Sequence, residues 1–219
     1  MLETEGVDLV RGVVPPAMIE HLRGEASRLA SAEPDAVQGI RDLLQKSEMV
    51  RECLAADWLQ SLVPSGHTCV RGILFDKTPG ANWLVAWHQD LTICVQAKHE
   101  AVGYGPWSVK HGVPHVQPPM ALLEQMLTLR IHLDETRAAN GALKVVPSSH
   151  LHGRLSAEQI DSLKTNEVIC EAAPGDALRM RPLLLHASSK AESPVHRRVV
   201  HLEFAPREML ASPLQWYER

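Results

Sequence analysis

Apolar residues follow two different rhythms along the chain. Up to about residue 63 they recur at helical spacing; from about residue 68 they alternate with polar residues, or run in short blocks closed by turn residues. Residues 7 to 14 read as a short strand. Pro15-Pro16 then opens a helix, since the first turn has N–H groups without partners and proline lacks one anyway. Ile19, Leu22, Ala26 and Leu29 give that helix one apolar face. Ser47 predicts the cap of a second helix, its hydroxyl accepting a backbone N–H. Val50, Leu54, Trp58 and Leu62 form the apolar face, and Pro64-Ser65-Gly66 ends it.

The second rhythm predicts about eight strands. Cys69 to Phe75 is one, followed by a turn at Lys77-Thr78-Pro79-Gly80. Trp83 to Asp90 is the next, and Leu91 to Val95 continues as another. Residues 96 to 120 carry Gly103, Gly105, Gly112, Pro114, Pro118 and Pro119 and fit no regular element, which is the texture of a lid. Leu127 to Asp134 and Leu143 to Val146 are strands joined through the hairpin signal Asn140-Gly141. Ser156 to Gln159 matches a capping box for a short helix through about Leu163. Val168 to Ala172, Ala177 to Met180, Leu183 to Ala187 and Arg197 to Phe204 complete the strands. Helices first and strands afterwards argue against βαβ units. The order predicts a mainly β fold with flanking helices, a jelly-roll or cupin-like barrel. We expect one domain over residues 1–219, with helices at about 15–63 packed on a barrel at about 68–205 and a lid at 96–120.

Composition narrows the partners. With 22 basic and 26 acidic residues the net charge is −4. There is no basic stripe, so nucleic acid is not expected. No apolar run approaches the roughly 20 residues of a membrane helix, and Met1 to Glu5 lacks the regions of a signal peptide. Cys53, Cys69, Cys94 and Cys170 have no framework spacing and read as inert, reduced thiols, so a cytoplasmic protein is expected. Twelve histidines are many, but only their placement can argue for a metal.

One placement does. His88 and Asp90 end an apolar strand-like run, and residues two apart on a strand point the same way. Alone, such a His-x-Asp pair is more often ordinary surface polarity. A third ligand would complete the two-histidine, one-carboxylate set of non-heme iron sites. His186, at the end of Leu183-Leu184-Leu185, is the candidate, against the alternative of a core histidine. Arg197 opens the last strand; its planar fork suits a carboxylate, and only one of Arg197 and Arg198 can face inward. Thr128, Arg130 and His132 share one strand face, either inward or a polar solvent face, and for His132 the solvent reading is preferred. Trp83 and Trp87 read as core, and Trp107 as a possible substrate contact. His111 and His115 read as lid residues, exposed or substrate-facing, and His150 and His152 as members of a surface turn.

His88-x-Asp90, His186, Ser188 and Arg197 resemble the pattern of the phytanoyl-CoA dioxygenase family of Fe(II)/2-oxoglutarate oxygenases. The stretch Asn140-Gly141-Ala142-Leu143-x-Val145-Val146-Pro147-x-Ser149-His150 resembles that family's hairpin, with Ser149 where many members have glycine. The resemblance implies a double-stranded β-helix with Fe(II) held by His88, Asp90 and His186. It implies 2-oxoglutarate as cosubstrate on Arg197 and Ser188, with Thr128 and Arg130 as further contacts, and O2 as oxidant. Succinate and CO2 would be released, and a small molecule would be hydroxylated. Halogenases of similar pattern lack the carboxylate, so Asp90 favours hydroxylation. Desaturation, cyclisation or demethylation on the same site stay open, as do a non-catalytic cupin-type binding module and a zinc hydrolase; Arg197 and Ser188 speak against the last two.

Overall fold

Alternation along two long strands decides which way the molecule faces. The computed structural model describes residues 1–36, 39–192 and 194–218. A helical turn, α1 (Leu2–Glu5), and a strand, β1 (Val7–Val10), precede the long helix α2 (Pro16–Ala32) and three short ones, α3 (Leu43–Lys46), α4 (Glu48–Cys53) and α5 (Asp57–Gln60). Then come β2 (His67–Lys77), β3 (Val85–His88), β4 (Ile93–Cys94), β5 (Trp107–Lys110), β6 (Val113–Val116), α6 (Met120–Gln125) and β7 (Leu127–His132). The chain ends with β8 (Leu143–Val145), α7 (Ala157–Leu163), β9 (Val168–Cys170), β10 (Ala177–Met180), β11 (His186–Ser188) and β12 (Arg197–Pro206).

The strands form a five-stranded sheet, β1-β10-β7-β12-β2, and a four-stranded sheet, β3-β11-β8-β9. Every pairing in them is antiparallel. These two sheets face each other as the two walls of the barrel, consistent with the expected mainly β, jelly-roll class. Because side chains alternate on a strand, β12 turns Val200, Leu202 and Phe204 outward, and β7 turns Leu127, Leu129 and Ile131 the same way. Both rows pack on α2 through Ile19, Leu22, Ala26 and Leu29. Each such fully buried side chain contributes roughly 1.5–3 kcal/mol relative to exposure. The opposite rows face the barrel interior, and they are polar. No helix among the described residues is long and apolar enough to cross a membrane.

Several elements differ from expectation, each for a local reason. The first strand stops at Val10 because the chain turns at Gly12 (φ 56), whose N–H is taken by the Asp176 carboxylate at 2.8 Å. Ser47 does cap a helix, accepting the Val50 N–H. That helix ends at Cys53, where the N–H groups of Ala55 and Ala56 turn to carbonyls three residues back. The break re-aims Leu59 and Leu62 into the core. Residues 96–106 hold no helix or strand, as expected, but 107–116 are ordered: β5 and β6 form a hairpin, β4 joins it as a third strand, and α6 follows from Met120. The two-residue turn His111-Gly112 has φ 52 and 78, the primed turn that matches strand twist. Gly112 therefore makes the hairpin instead of breaking order. Leu183 to Leu185 form a turn and not a strand. Their side chains splay into three separate clusters, with Trp216, with Met180 and with Val146.

Leu129 is fully buried between β7 and the helices. Leu129→Ala is expected to lower unfolding free energy by about 2–5 kcal/mol, read as a shift of the urea midpoint at unchanged slope.

A candidate metal centre and its cavity

Two strand ends meet at the barrel mouth. His186 on β11 registers against His88 on β3, which brings the two imidazoles to 4.2 Å between ring centres. Asp90 follows β3, held by its N–H donating to Pro182 O at 2.9 Å. Gln89 points the other way and is buried. Its amide donates to Gly153 O and Leu183 O and accepts the Leu155 N–H, which anchors the strand end carrying the ligands.

The ring tautomers follow from their partners. His88 Nδ1 lies 2.8 Å from Ala86 O and His186 Nδ1 2.8 Å from Leu184 O. A carbonyl only accepts, so both Nδ1 atoms carry the proton and both Nε2 lone pairs are free. Those Nε2 atoms lie 3.6 and 3.7 Å from the two Asp90 oxygens. One ligand atom from each residue falls within 4.8 Å of the others. Burial opposes ionisation of Asp90, but His186 and His88 beside it hold its carboxyl well below the usual carboxylate range. Burial pushes His186 down to about 4 against the pull of Asp90, so it is the neutral imidazole a metal requires. Two imidazole nitrogens, each with its other ring nitrogen tied to a backbone carbonyl, and a carboxylate suit a divalent first-row metal such as Fe(II).

The triad opens on a cavity of about 170 Å³ between the two large sheets. At one end Arg197 is 2 % exposed, and its Nε and Nη1 have no hydrogen-bond partner. Arg198 turns outward onto Asp134, as alternation requires. Opposite Arg197 on β2 stands Lys77, also buried. Lys77 donates to Ser188 Oγ at 2.8 Å and to Ser189 O at 2.5 Å, and Ser188 donates to Gly141 O at 2.9 Å. Burial, then Arg197 and Arg130, push the Lys77 ammonium down to about 8. Burial and Arg130 push Arg197 down to about 9. Two buried cations side by side, with no salt bridge to either among the described residues, are a receptor for a carboxylate.

Arg130 lines the same cavity, over the Phe75 ring and donating to His201 Nδ1 at 3.1 Å. His201 Nδ1 therefore accepts, and its Nε2–H points to Glu203 at 3.3 Å. Glu203 also binds Arg71 Nη1 at 3.0 Å.

Sequence reasoning and structure part company at named positions. His88, Asp90, His186, Ser188, Arg130 and Arg197 come together around the cavity. Thr128 does not line it, although it is fully buried with an unpartnered hydroxyl. The solvent reading of His132 is wrong: it is 1 % exposed and bonded to Thr136 Oγ1. It belongs to the row of β7 opposite Leu127, Leu129 and Ile131, and so faces the barrel interior and not solvent. Trp107 is not among the lining residues; it packs against the Trp216 cluster, under Lys98. Trp83 is not core but cavity wall, 6.4 Å from Phe75, whereas Trp87 packs beside Val146 and Leu185 as expected. His115 is buried, not substrate-facing, with its Nε2 3.1 Å from Cys94 Sγ; His111 is exposed at the hairpin tip. All four cysteines are free and buried. The residues missed are Lys77, assigned to a turn, and Arg71, His201 and Glu203. The period of two puts them in single rows with Arg197: Arg71, Ile73, Phe75, Lys77 on one strand and Arg197, Val199, His201, Glu203 on the other.

Residues 2–199 match the model of a family described as Phytanoyl-CoA dioxygenase (PhyH). No curated protein matches. Among solved structures, EctD from S. alaskensis with bound Fe is 18 % identical at a TM-score of 0.71, over 93 % of this chain and 74 % of that one. HygX from Streptomyces hygroscopicus with nickel and 2-oxoglutarate is 16 % identical at 0.68, over 94 % and 85 %. The epimerase SnoN from nogalamycin biosynthesis, described as alpha-ketoglutarate dependent, is 16 % identical at 0.65, over 93 % and 78 %. At these identities the likeness is one of fold.

Removing a ligand should remove the metal. His186→Ala is expected to weaken Fe(II) binding by about 100-fold or more, measured by anaerobic titration, while the unfolding midpoint of the metal-free protein moves little. Retained affinity in that variant would exclude His186 as a ligand.

Proposed function

The chain belongs to the phytanoyl-CoA dioxygenase family, and from that premise we propose that it is a non-heme Fe(II)- and 2-oxoglutarate-dependent dioxygenase that hydroxylates a small molecule. We read residues 1–219 as one catalytic domain. The observation that carries the reading is Arg197, a buried guanidinium with two unpartnered nitrogens in the cavity that holds His88, Asp90 and His186. A bare metal-binding module has no use for such an anchor; a dicarboxylate cosubstrate does.

His88 and His186 would hold the iron through the Nε2 atoms left free by their own hydrogen bonds, and Asp90 through its carboxylate. Arg197 would take the distal carboxylate of 2-oxoglutarate through its open edge, with Lys77, steadied by its bond to Ser188, completing the grip. Iron and 2-oxoglutarate, when bound with O2, supply the oxidation: one oxygen atom leaves in succinate, CO2 is released, and the other oxygen enters the substrate. The chain's own part is orientation and exclusion of water. Phe75, Trp83 and Leu143 supply apolar wall. Arg130, fixed on His201 and Phe75, sets positive charge near Asp90. Free, buried thiols suit a reducing compartment, and we place the protein in the cytoplasm.

Purified protein with Fe(II) is expected to convert 2-oxoglutarate to succinate in air, slowly alone and faster with substrate, whose product gains one oxygen in its mass. No succinate under any condition would overturn the reading; a product short of two hydrogens would redirect it to desaturation or cyclisation. Arg197→Gln should raise the 2-oxoglutarate KM by about tenfold or more with iron affinity retained. Lys77 carries its charge below about 8. The kcat/KM for 2-oxoglutarate should therefore fall as pH rises through that value, and Lys77→Met should abolish that limb of the profile.

A further inference from the structure

The cavity has a second charged end that the cosubstrate does not use. Register lays Lys77 opposite Arg197, Phe75 opposite Val199, Ile73 opposite His201, and Arg71 opposite Glu203. The inward face of this strand pair therefore runs from one basic end, through an apolar middle, to another basic end. Arg71 and Lys77 are six residues apart, roughly 20 Å of backbone, so one small dicarboxylate gripped at Lys77 and Arg197 leaves Arg71 free.

Arg41 joins Arg71 at this far end. The bridge between Ile40 and Leu74 sets residue 41 alongside β2. Ile40 and Leu74 both face the helix-side core, so alternation turns Arg41 to the cavity, which it lines together with Arg71 and Glu203. The segment is tied down: Glu218 accepts the N–H groups of Leu44 and Gly72. It can come this close because Gly72 has no Cβ, where one would sit 3.0 Å from Leu43.

The charges at this end are unequal. Glu203 neutralises Arg71 and, through His201, orders the row toward Arg130. Arg71 has Nη1 on Glu203, and no other partner for its fork is found among the described residues. Arg41 has no salt bridge among them; burial and then Arg71 push its guanidinium below the ordinary value, against a weaker pull from Asp42, which does not line the cavity. Glu218 lies near but is occupied by its two backbone donors and does not line the cavity. One guanidinium charge is left over, in a partly desolvated place where an unmatched charge is costly. A monoanion balances it; a phosphate dianion overshoots. The enclosed volume of about 170 Å³ is below the roughly 300–1,000 Å³ typical of sites for drug-sized ligands, so what enters beside the cosubstrate is compact.

We propose that the substrate is a small carboxylic acid whose carboxylate is held by Arg41 and Arg71, with its apolar body along Ile73 and Phe75 toward the metal centre. This rests on the oxygenase reading for the reaction, but not for the binding. The test is anaerobic calorimetry on the protein loaded with Fe(II) and saturating 2-oxoglutarate. The probes are isovalerate, cyclohexanecarboxylate and phenylacetate, each beside its primary amide, with benzylphosphonate as the dianion. At least one carboxylate is expected to bind about tenfold or more tightly than its amide and than the phosphonate. Arg41→Gln should erase that preference, while 2-oxoglutarate affinity stays within about twofold. Arg71→Gln combined with Glu203→Gln, which leaves no unpaired buried carboxylate, should do the same. A panel in which no carboxylate is preferred over its amide, or a preference untouched in Arg41→Gln, overturns the proposal. A preference for the phosphonate overturns it in favour of a phosphorylated substrate. A protein that binds no 2-oxoglutarate fails the oxygenase reading instead. The contrast between parent and Arg41→Gln is then read on the unloaded protein.

Discussion

Lys77, Arg130 and Arg197 are buried around one cavity with no salt bridge to any of them among the described residues, and the molecule has to be stiff enough to keep them there. Each desolvated cation left without a counter-charge costs several kcal/mol. The cost is tolerable because antiparallel strands fix the backbone beneath them. β12 runs against β2 on one side and against β7 on the other. None of the three side chains can swing out to water without breaking strand pairs. The same stiffness presents the cations as a preformed site for anions, so the destabilising feature and the useful one are the same atoms.

The helices matter to this chemistry although they contribute little to the cavity wall. Beyond Arg198, the outward rows of β7 and β12 are apolar, and α2 with its short companions covers them. That packing supplies the free energy against which the polar interior is held. The same packing sets Ile40 beside Leu74, which carries Arg41 to the cavity.

At the metal centre the geometry depends on residues that touch no ligand. Gln89 fixes the strand end between His88 and Asp90 through three backbone bonds. Ser149 accepts the Leu185 N–H and donates to Val146 O, tying the hairpin to the strand that bears His186. A serine there serves as a staple in this chain, so its departure from the glycine of the resembling pattern changes a turn and not the ligand set.

What the chain determined by itself is whatever depends on local spacing. Two side chains on one side of a strand made His88 and Asp90 a pair, and Ser47 and Ser156 capped helices; Asn140-Gly141 marked a turn but not the expected hairpin, since β7 and β8 lie in different sheets. The helix-then-strand order carried the fold class, and the match of His186 and Arg197 to a known pattern carried the chemistry. Only the tertiary structure decided which of several polar rows faces inward. From sequence, Thr128, Arg130 and His132 fit a wet face as well as a dry one, because alternation specifies two faces and not which is covered; the four-stranded sheet that faces this row settled it. Lys77 looked like the start of a turn because Thr78-Pro79-Gly80 follows it, and the hairpin at His111-Gly112 hid behind residues that usually interrupt strands. Arg41 was unreadable for a stronger reason. It reaches the site through one bridge between distant segments, and a contact closed over thirty residues leaves no period in the sequence to find.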